Sequence, residues 1–439
     1  MRVRVKLLFC LLLVAFSAAI PVSASQTRPR RRPRSTAPVV SRAQMELAQQ
    51  MLRDAYSLGR NLPVRQRVAL LTRLLYTMRP EVMATEKKQW AEELFVLAQK
   101  LPPGETVEVD SARNSAIATA AARLSAYDAD RALELLDTLP GDAPRMNHGA
   151  DARTMASRLV FAAYMQRHGA AAAPVLLAHG KRWSEDGEFP YSASATVMSR
   201  LRSDGDAAED FFRQVLLVFQ RQRDGLSGVR DFASLLEQSV TMEAIYEETA
   251  EQAGQSIVGQ LRKLAQGSSA PLTAKEKRLT AETLANVRIS APKAYEEGSR
   301  VAPDLFALQV EPEGVSAEVP KVDAGLQTAF HDLAQSIQQR PGPEALRAQI
   351  QKGLQLVNAK YSAGACAECA SPDAQSWALV SLAAYGAPLT IAGQLTTIED
   401  PFWRAYFLAI AAQQVAQPTR VADPTARHVV IREEEAEPE

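Results

Sequence analysis

Alanine supplies 74 of the 439 residues while aromatics supply only 6%, and the apolar positions recur at spacings of three and four. That pattern favours helices packed closely on one another, because alanine is the strongest helix former and its small side chain lets backbones approach. From Leu62 to Arg79, Leu70, Leu71, Leu74, Leu75 and Met78 make one stripe, with Arg65, Arg67, Arg73 and Arg79 away from it. Phe211, Phe212, Val215, Leu216 and Phe219 repeat the device. A helix with one apolar face must bury it against neighbours, so the expected class is all-α.

The punctuation between the stripes is short. Asp128 is placed to cap a helix carrying Leu133, Leu136 and Leu139, with Pro140 and Gly141 as its stop. Asp400 before Pro401 pairs a cap with a first-turn proline ahead of Phe402, Trp403, Tyr406 and Phe407. Ser371 with Pro372, and Asp423 with Pro424, read the same way. Short capped helices in series predict a right-handed stack of antiparallel pairs.

An internal repeat accompanies the caps. Shifted by 38 residues, Leu94, Leu97, Leu101 and Pro102 fall on Ala132, Leu135, Leu139 and Pro140, and Ile117 with Ala118 falls on Met155 with Ala156. In helix pairing and alanine use, the chain from Ala43 to Gln417 resembles the α-helical repeat superhelices, whose periods run from about 34 residues in tetratricopeptide repeats to about 40–47 in HEAT repeats. The resemblance is generic, since the tetratricopeptide order of Trp, Leu, Gly, Tyr, Ala, Phe and Pro is not met. It implies an α-α superhelix.

The ends of the chain differ from its body. Arg2, Arg4 and Lys6 precede an apolar run from Leu7 to Ile20, and Val22 and Ala24 stand at minus three and minus one of a small-residue cleavage site. A run of this length is shorter than the roughly 20 residues a spanning helix needs, so residues 1–24 read as a cleaved secretory signal and the protein as exported, periplasmic or extracellular. Residues 25–42 form an Arg- and Pro-rich tether, in which Arg28, Arg30, Arg31, Arg32 and Arg34 could touch an anionic surface. The arginines follow the apolar run, so this is not a twin-arginine signal. A helical body is expected over 43–299, a Pro- and Glu-containing linker over 300–321, a second helical body over 322–432 and an acidic tail over 433–439.

Without residues 1–24 the chain carries a formal charge of minus three, which leaves no broad electrostatic case for nucleic acid. Cys366 and Cys369 are then its only cysteines. At this spacing, in an exported compartment, they read first as a local structural disulfide. Haem attachment would need His at 370, which is Ala, and zinc would need a second ligand pair that the sequence lacks.

Catalytic signatures are missing. The histidines at 148, 168, 179, 331 and 428 never fall three or four apart, so no helical metal-ligand pair forms locally. Ser227 and Ser256 lack nucleophile-elbow spacing, and Ser290 with Lys293 satisfies S-x-x-K without its usual companion motifs. Asp142, His148 and Asp151 fit a turn between helices. No cofactor is expected.

The stretch from Lys181 to Tyr191 carries Trp183, Phe189 and Tyr191 among charges, the composition of a contact loop and equally of a loop packed on helices. The expectation is an exported helical scaffold that binds a protein or envelope polymer. The alternative is an enzyme acting on extracellular polymer, with no motif to mark it.

Overall fold

The computed structural model describes residues 40–101, 107–140, 152–222, 224–267, 271–308, 323–340, 342–362, 371–419 and 421. These residues are all-helical, with no strand among them. The signal, the tether, the acidic tail, Cys366, Cys369, His428 and the 142–151 group lie outside them.

Helix α1 spans Arg42–Leu58 and begins in a reciprocal cap, with Ser41 Oγ accepting from Gln44 N–H and Gln44 Oε1 accepting from Ser41 N–H. Beyond the 3-10 turn Gly59–Asn61 come α2 (Val64–Tyr76), α3 (Ala84–Gln99), α4 (Val107–Leu124) and α5 (Ala129–Asp137). Then follow α6 (Ala152–His168), α7 (Ala173–Trp183), α8 (Tyr191–Leu201), α9 (Gly205–Arg221) and α10 (Leu226–Thr241). The chain continues with α11 (Glu247–Gly267), α12 (Ala274–Ser290), α13 (Pro292–Val301) and α14 (Pro303–Phe306). After residue 323 come α15 (Ala324–Gln339), α16 (Pro343–Tyr361), α17 (Ala374–Gly386), α18 (Ile391–Gln394) and α19 (Pro401–Ala416).

The expected stripes point inward. Leu70, Leu71, Leu74 and Leu75 of α2 are buried, as are Phe211, Phe212, Val215, Leu216 and Phe219 of α9. Asp128 caps α5 by accepting from Arg131 N–H, and Asp400 caps α19 by accepting from Trp403 N–H. Two details differ. Asp373, not Ser371, caps α17, because its carboxylate reaches the N–H groups of Gln375 and Ser376 while Pro372 lies ahead of the cap. Helical structure also resumes after a break at Ala302, since Pro303 opens α14 (Pro303–Phe306) as a first-turn residue, where its missing N–H costs nothing.

The helices meet in two interleaved series. Along one, α2, α4, α6, α8, α10, α12 and α14 each contact the next. Along the other, α7, α9, α11 and α13 do so, and polar bridges carry that series back to α1. Tyr56 of α1 donates to Glu93 of α3, Lys88 of α3 pairs with Asp128 at the head of α5, and Trp183 of α7 donates to Asp137 of α5. Further on, Lys181 of α7 donates to Gln214 of α9, Gln220 of α9 to Ser256 of α11, and Lys293 of α13 to Glu247 of α11. These bridges join residues 33 to 46 positions apart, a spread that includes the 38-residue repeat. Of the pairs 38 residues apart, Leu94 and Ala132, Leu101 and Leu139, and Ala118 and Ala156 have both members buried, while Leu97 is partly buried where Leu135 is fully so. Met155 departs from its counterpart Ile117, being 71% exposed where Ile117 is 2%.

The order of contacts is not the order of sequence. Helices α15, α17 and α19 contact in series, and α19 packs on α1 and α2. Among the described residues the last helix therefore lies against the first, and the expected second body meets the expected first one there.

Candidate functional site

Helices α5 and α7 bring together a carboxylate, an imidazole, a guanidinium and an indole that the sequence holds far apart. Asp137, the last residue of α5, faces the final turn of α7. Its Oδ1 accepts from Trp183 Nε1 at 2.8 Å and lies 2.9 Å from His179 Nδ1, while Oδ2 accepts from Arg182 Nη2 at 2.8 Å. Burial opposes the charge on Asp137. The hydrogen bonds from His179 and Trp183, with the positive charge of His179 and Arg182, outweigh it and hold the carboxyl below its ordinary range.

The Nδ1 of His179 lies between Asp137 Oδ1, which only accepts, and Arg182 Nη2 at 2.7 Å, which only donates, so the imidazole is held at Nδ1 by two partners of opposite kind. Among the described residues none hydrogen-bonds to Nε2, and the side chain is 19% exposed. An imidazole held in this way has a second ring nitrogen left to exchange hydrogen bonds with a solvent-side group. Beneath the cluster, Arg153 at the start of α6 is buried, donates to Leu139 O, Trp183 O and Asp186 Oδ1, and lies 5.7 Å from the Trp183 ring.

The expected contact residues are all interior. Trp183 is 2% exposed, Phe189 2% and Tyr191 1%, so the structure gives the loop-packing arrangement and not a row of surface anchors. Trp183 belongs to the last turn of α7 and Tyr191 to the first of α8, leaving a shorter connection than the sequence indicated. Apolar surface on Phe189 and Tyr191 drives this packing: the two rings lie 5.1 Å apart, and Tyr191 continues edge-on to Phe219 and Phe232. Phe189 also fills the space over Gly180, where an added Cβ would stand 2.7 Å from its ring.

An open groove of about 700 Å³ lies between α11 and α13, lined by Glu247, Glu248, Glu251, Gln252, Gln255 and Lys293. Two of its three carboxylates, Glu247 and Glu251, are engaged within the fold. Glu251 accepts from the N–H groups of Lys293 and Ala294 and so caps α13, and Glu247 pairs with Lys293 at 2.7 Å. That bond keeps the Lys293 amine protonated above its usual range, which removes it as the base of a serine–lysine pair. Ser290, the other member of the S-x-x-K pattern, is buried.

Among the described residues no three His, Cys, Asp or Glu side chains are grouped to hold a metal ion, and no helix is long and apolar enough to cross a membrane. Sequence reading passed over Asp137 and His179 because they are 42 positions apart, outside any helical spacing. The signal that could have joined them is the 38-residue spacing in the sequence, which falls within the 33 to 46 positions that separate the bridged residues. Comparisons with protein-family models, curated proteins and solved structures find no match.

Proposed function

We propose that this chain is an exported α-helical scaffold whose stacked helices curve as a right-handed superhelix and bind a protein or envelope polymer along one helix series. The observation that carries this reading is the interleaved contact pattern, in which most helices meet the helix two places on. Stacks of that kind touch only their neighbours and leave a long continuous face free for a partner. Nine contacts lead from α14 through α2 and α19 to α15. At about 8–10 Å per helix crossing the path is about 80 Å, whereas the chain from Leu308 to Asp323 reaches about 50 Å at full extension. A straight stack does not satisfy both lengths, which supports curvature.

The α2-to-α14 series carries large exposed apolar side chains, with Met155 at 71% and Leu159 at 50% on α6 and Ile289 at 65% on α12. Met155 and Ile289 are more exposed than Val96 at 47%, Leu217 at 41% and Val301 at 55% in the other series, which favours this one as the binding face. Export rests on the pattern of residues 1–24. A photo-crosslinking side chain at Met155 or Ile289 should capture one common partner from the envelope of the native cell, while the same group at Val96 on α3 should not. Equal capture from both series would remove the reading.

A second reading, an acid–base enzyme, is favoured by one feature, the Asp137-oriented imidazole of His179. His179→Ala would abolish turnover of an extracellular polymer in that case. Under the scaffold reading it leaves partner capture unchanged.

A further inference from the structure

By sequence the described body is two arms, α1 to α14 and α15 to α19, with residues 309–322 between them. The extensive contacts that join the arms are those of α19 with α1, with α2 and with the Gly59–Asn61 turn.

Three observations give this seam the character of an interface inside one chain. Helix α19 is apolar nearly all round, with Phe402, Trp403, Phe407, Leu408, Ile410 and Val415 buried, and a helix of that kind requires cover on more than one side. On the other arm, Ala48, Met51, Leu52 and Ala55 of α1 have no exposure at all. Between the arms Arg73 of α2 donates to Gln413 of α19, a charge-assisted bond in partly buried surroundings.

Each arm also has an interior of its own. In the C-terminal arm Tyr361 lies 4.3 Å from Trp403 and 5.7 Å from Phe407, and its hydroxyl bonds to Asp373, which also caps α17. In the N-terminal arm Phe212, Phe219, Phe232 and Tyr191 stack together far along the chain from the seam.

We infer that the face formed by α1 and α2 is a docking surface whose occupant is the C-terminal arm of this same chain, held by α19 independently of the covalent connection. Burial of α19 against α1 stabilises the union through apolar area removed from water, and that term does not depend on a peptide link between α14 and α15.

The test uses the full chain with a protease recognition sequence inserted after Gly314. After complete cleavage, the two fragments should elute together from a sizing column at the position of the uncut protein, with helicity unchanged. Separation of the fragments in native buffer would overturn the inference. In a second form of the same chain, Ala412→Glu places a charge on the buried surface of α19, and cleavage should then release the arms. If the cut Ala412→Glu protein still elutes as one species, contacts other than α19 hold the arms together and the assignment of the seam is wrong.

Discussion

The Tyr191 hydroxyl donates to Asp224 Oδ2 at 2.7 Å, and both side chains are buried. The Tyr191 ring packs among Phe189, Phe219 and Phe232, and its hydroxyl brings a neutral donor to the buried carboxyl group. Burial raises its pKa from 3.8 to about 6, against the lowering effect of the Tyr191 bond. Desolvation and the adjoining carboxylate also push the Tyr191 phenol well above its ordinary value, so it stays a donor across the physiological range.

Asp224 should therefore make stability fall as pH rises. The group binds its proton more tightly folded than unfolded, so its contribution is complete below about 3.8 and is lost as pH passes through about 6. The full difference is about 3 kcal/mol. Asp224→Asn keeps an acceptor for Tyr191 without the charge. Urea unfolding at pH 8 should show the variant more stable than the parent by up to that amount, with the gap closing at pH 4. An equal gap at both pH values would contradict this.

Lys87 should be the costliest single cation to remove. It is 1% exposed, and its Nζ donates to the carbonyls of Thr77, Met78 and Arg79 at 2.6, 3.2 and 3.1 Å, closing the end of α2 beside two methionines of positive φ, Met78 and Met83. Burial and the nearby Arg123 charge lower its pKa to about 8, so the ammonium form persists at neutral pH. Lys87→Met leaves the carbonyls without their donor and should cost about 2–4 kcal/mol in urea unfolding at pH 7.

Two glycines of α11 should answer oppositely to alanine. A Cβ at Gly254 would stand 2.5 Å from the Ala291 Cβ and 2.9 Å from that of Ala294, whereas one at Gly259 meets nothing within 4 Å. Gly254→Ala should cost about 1–3 kcal/mol through overpacking. Gly259→Ala should add up to about 1 kcal/mol through helix propensity. Paired thermal melts decide it.

Asp137→Ala should destabilise the protein by about 1–3 kcal/mol, because it strands the buried Trp183 N–H and takes from His179 and Arg182 the carboxylate they share. His179→Ala removes one partner and leaves the indole bond, so its cost should be under half as large. Equal losses in chemical denaturation would show that the imidazole, not the indole, carries the cluster.

What was legible in the sequence was local. The Asp128 and Asp400 caps, and the stripes of α2 and α9, follow from spacings of three and four within one helix, and the structure has them in place. Trp183, Phe189 and Tyr191 were ambiguous because an aromatic in a loop reads alike whether it meets solvent or core. Burial brings two of them to partners distant in sequence, Trp183 to Asp137, 46 positions before it, and Tyr191 to Asp224, 33 positions after it. Pro303 misled for a related reason: the ring that breaks a helix interior also opens a helix, and only the surrounding chain distinguishes the two.

The placement of α19 on α1 sets an order of assembly. Most helices find their partners within about one repeat, so each arm can grow outward from neighbouring contacts as the chain emerges. Arg73 and Gln413 are 340 positions apart. A contact that closes so long a loop bears the largest entropic barrier and has no surface to form on until both arms exist. Refolding should therefore end with a slow phase that substitutions in the α1–α19 seam alter and those in α9 or α10 leave unchanged.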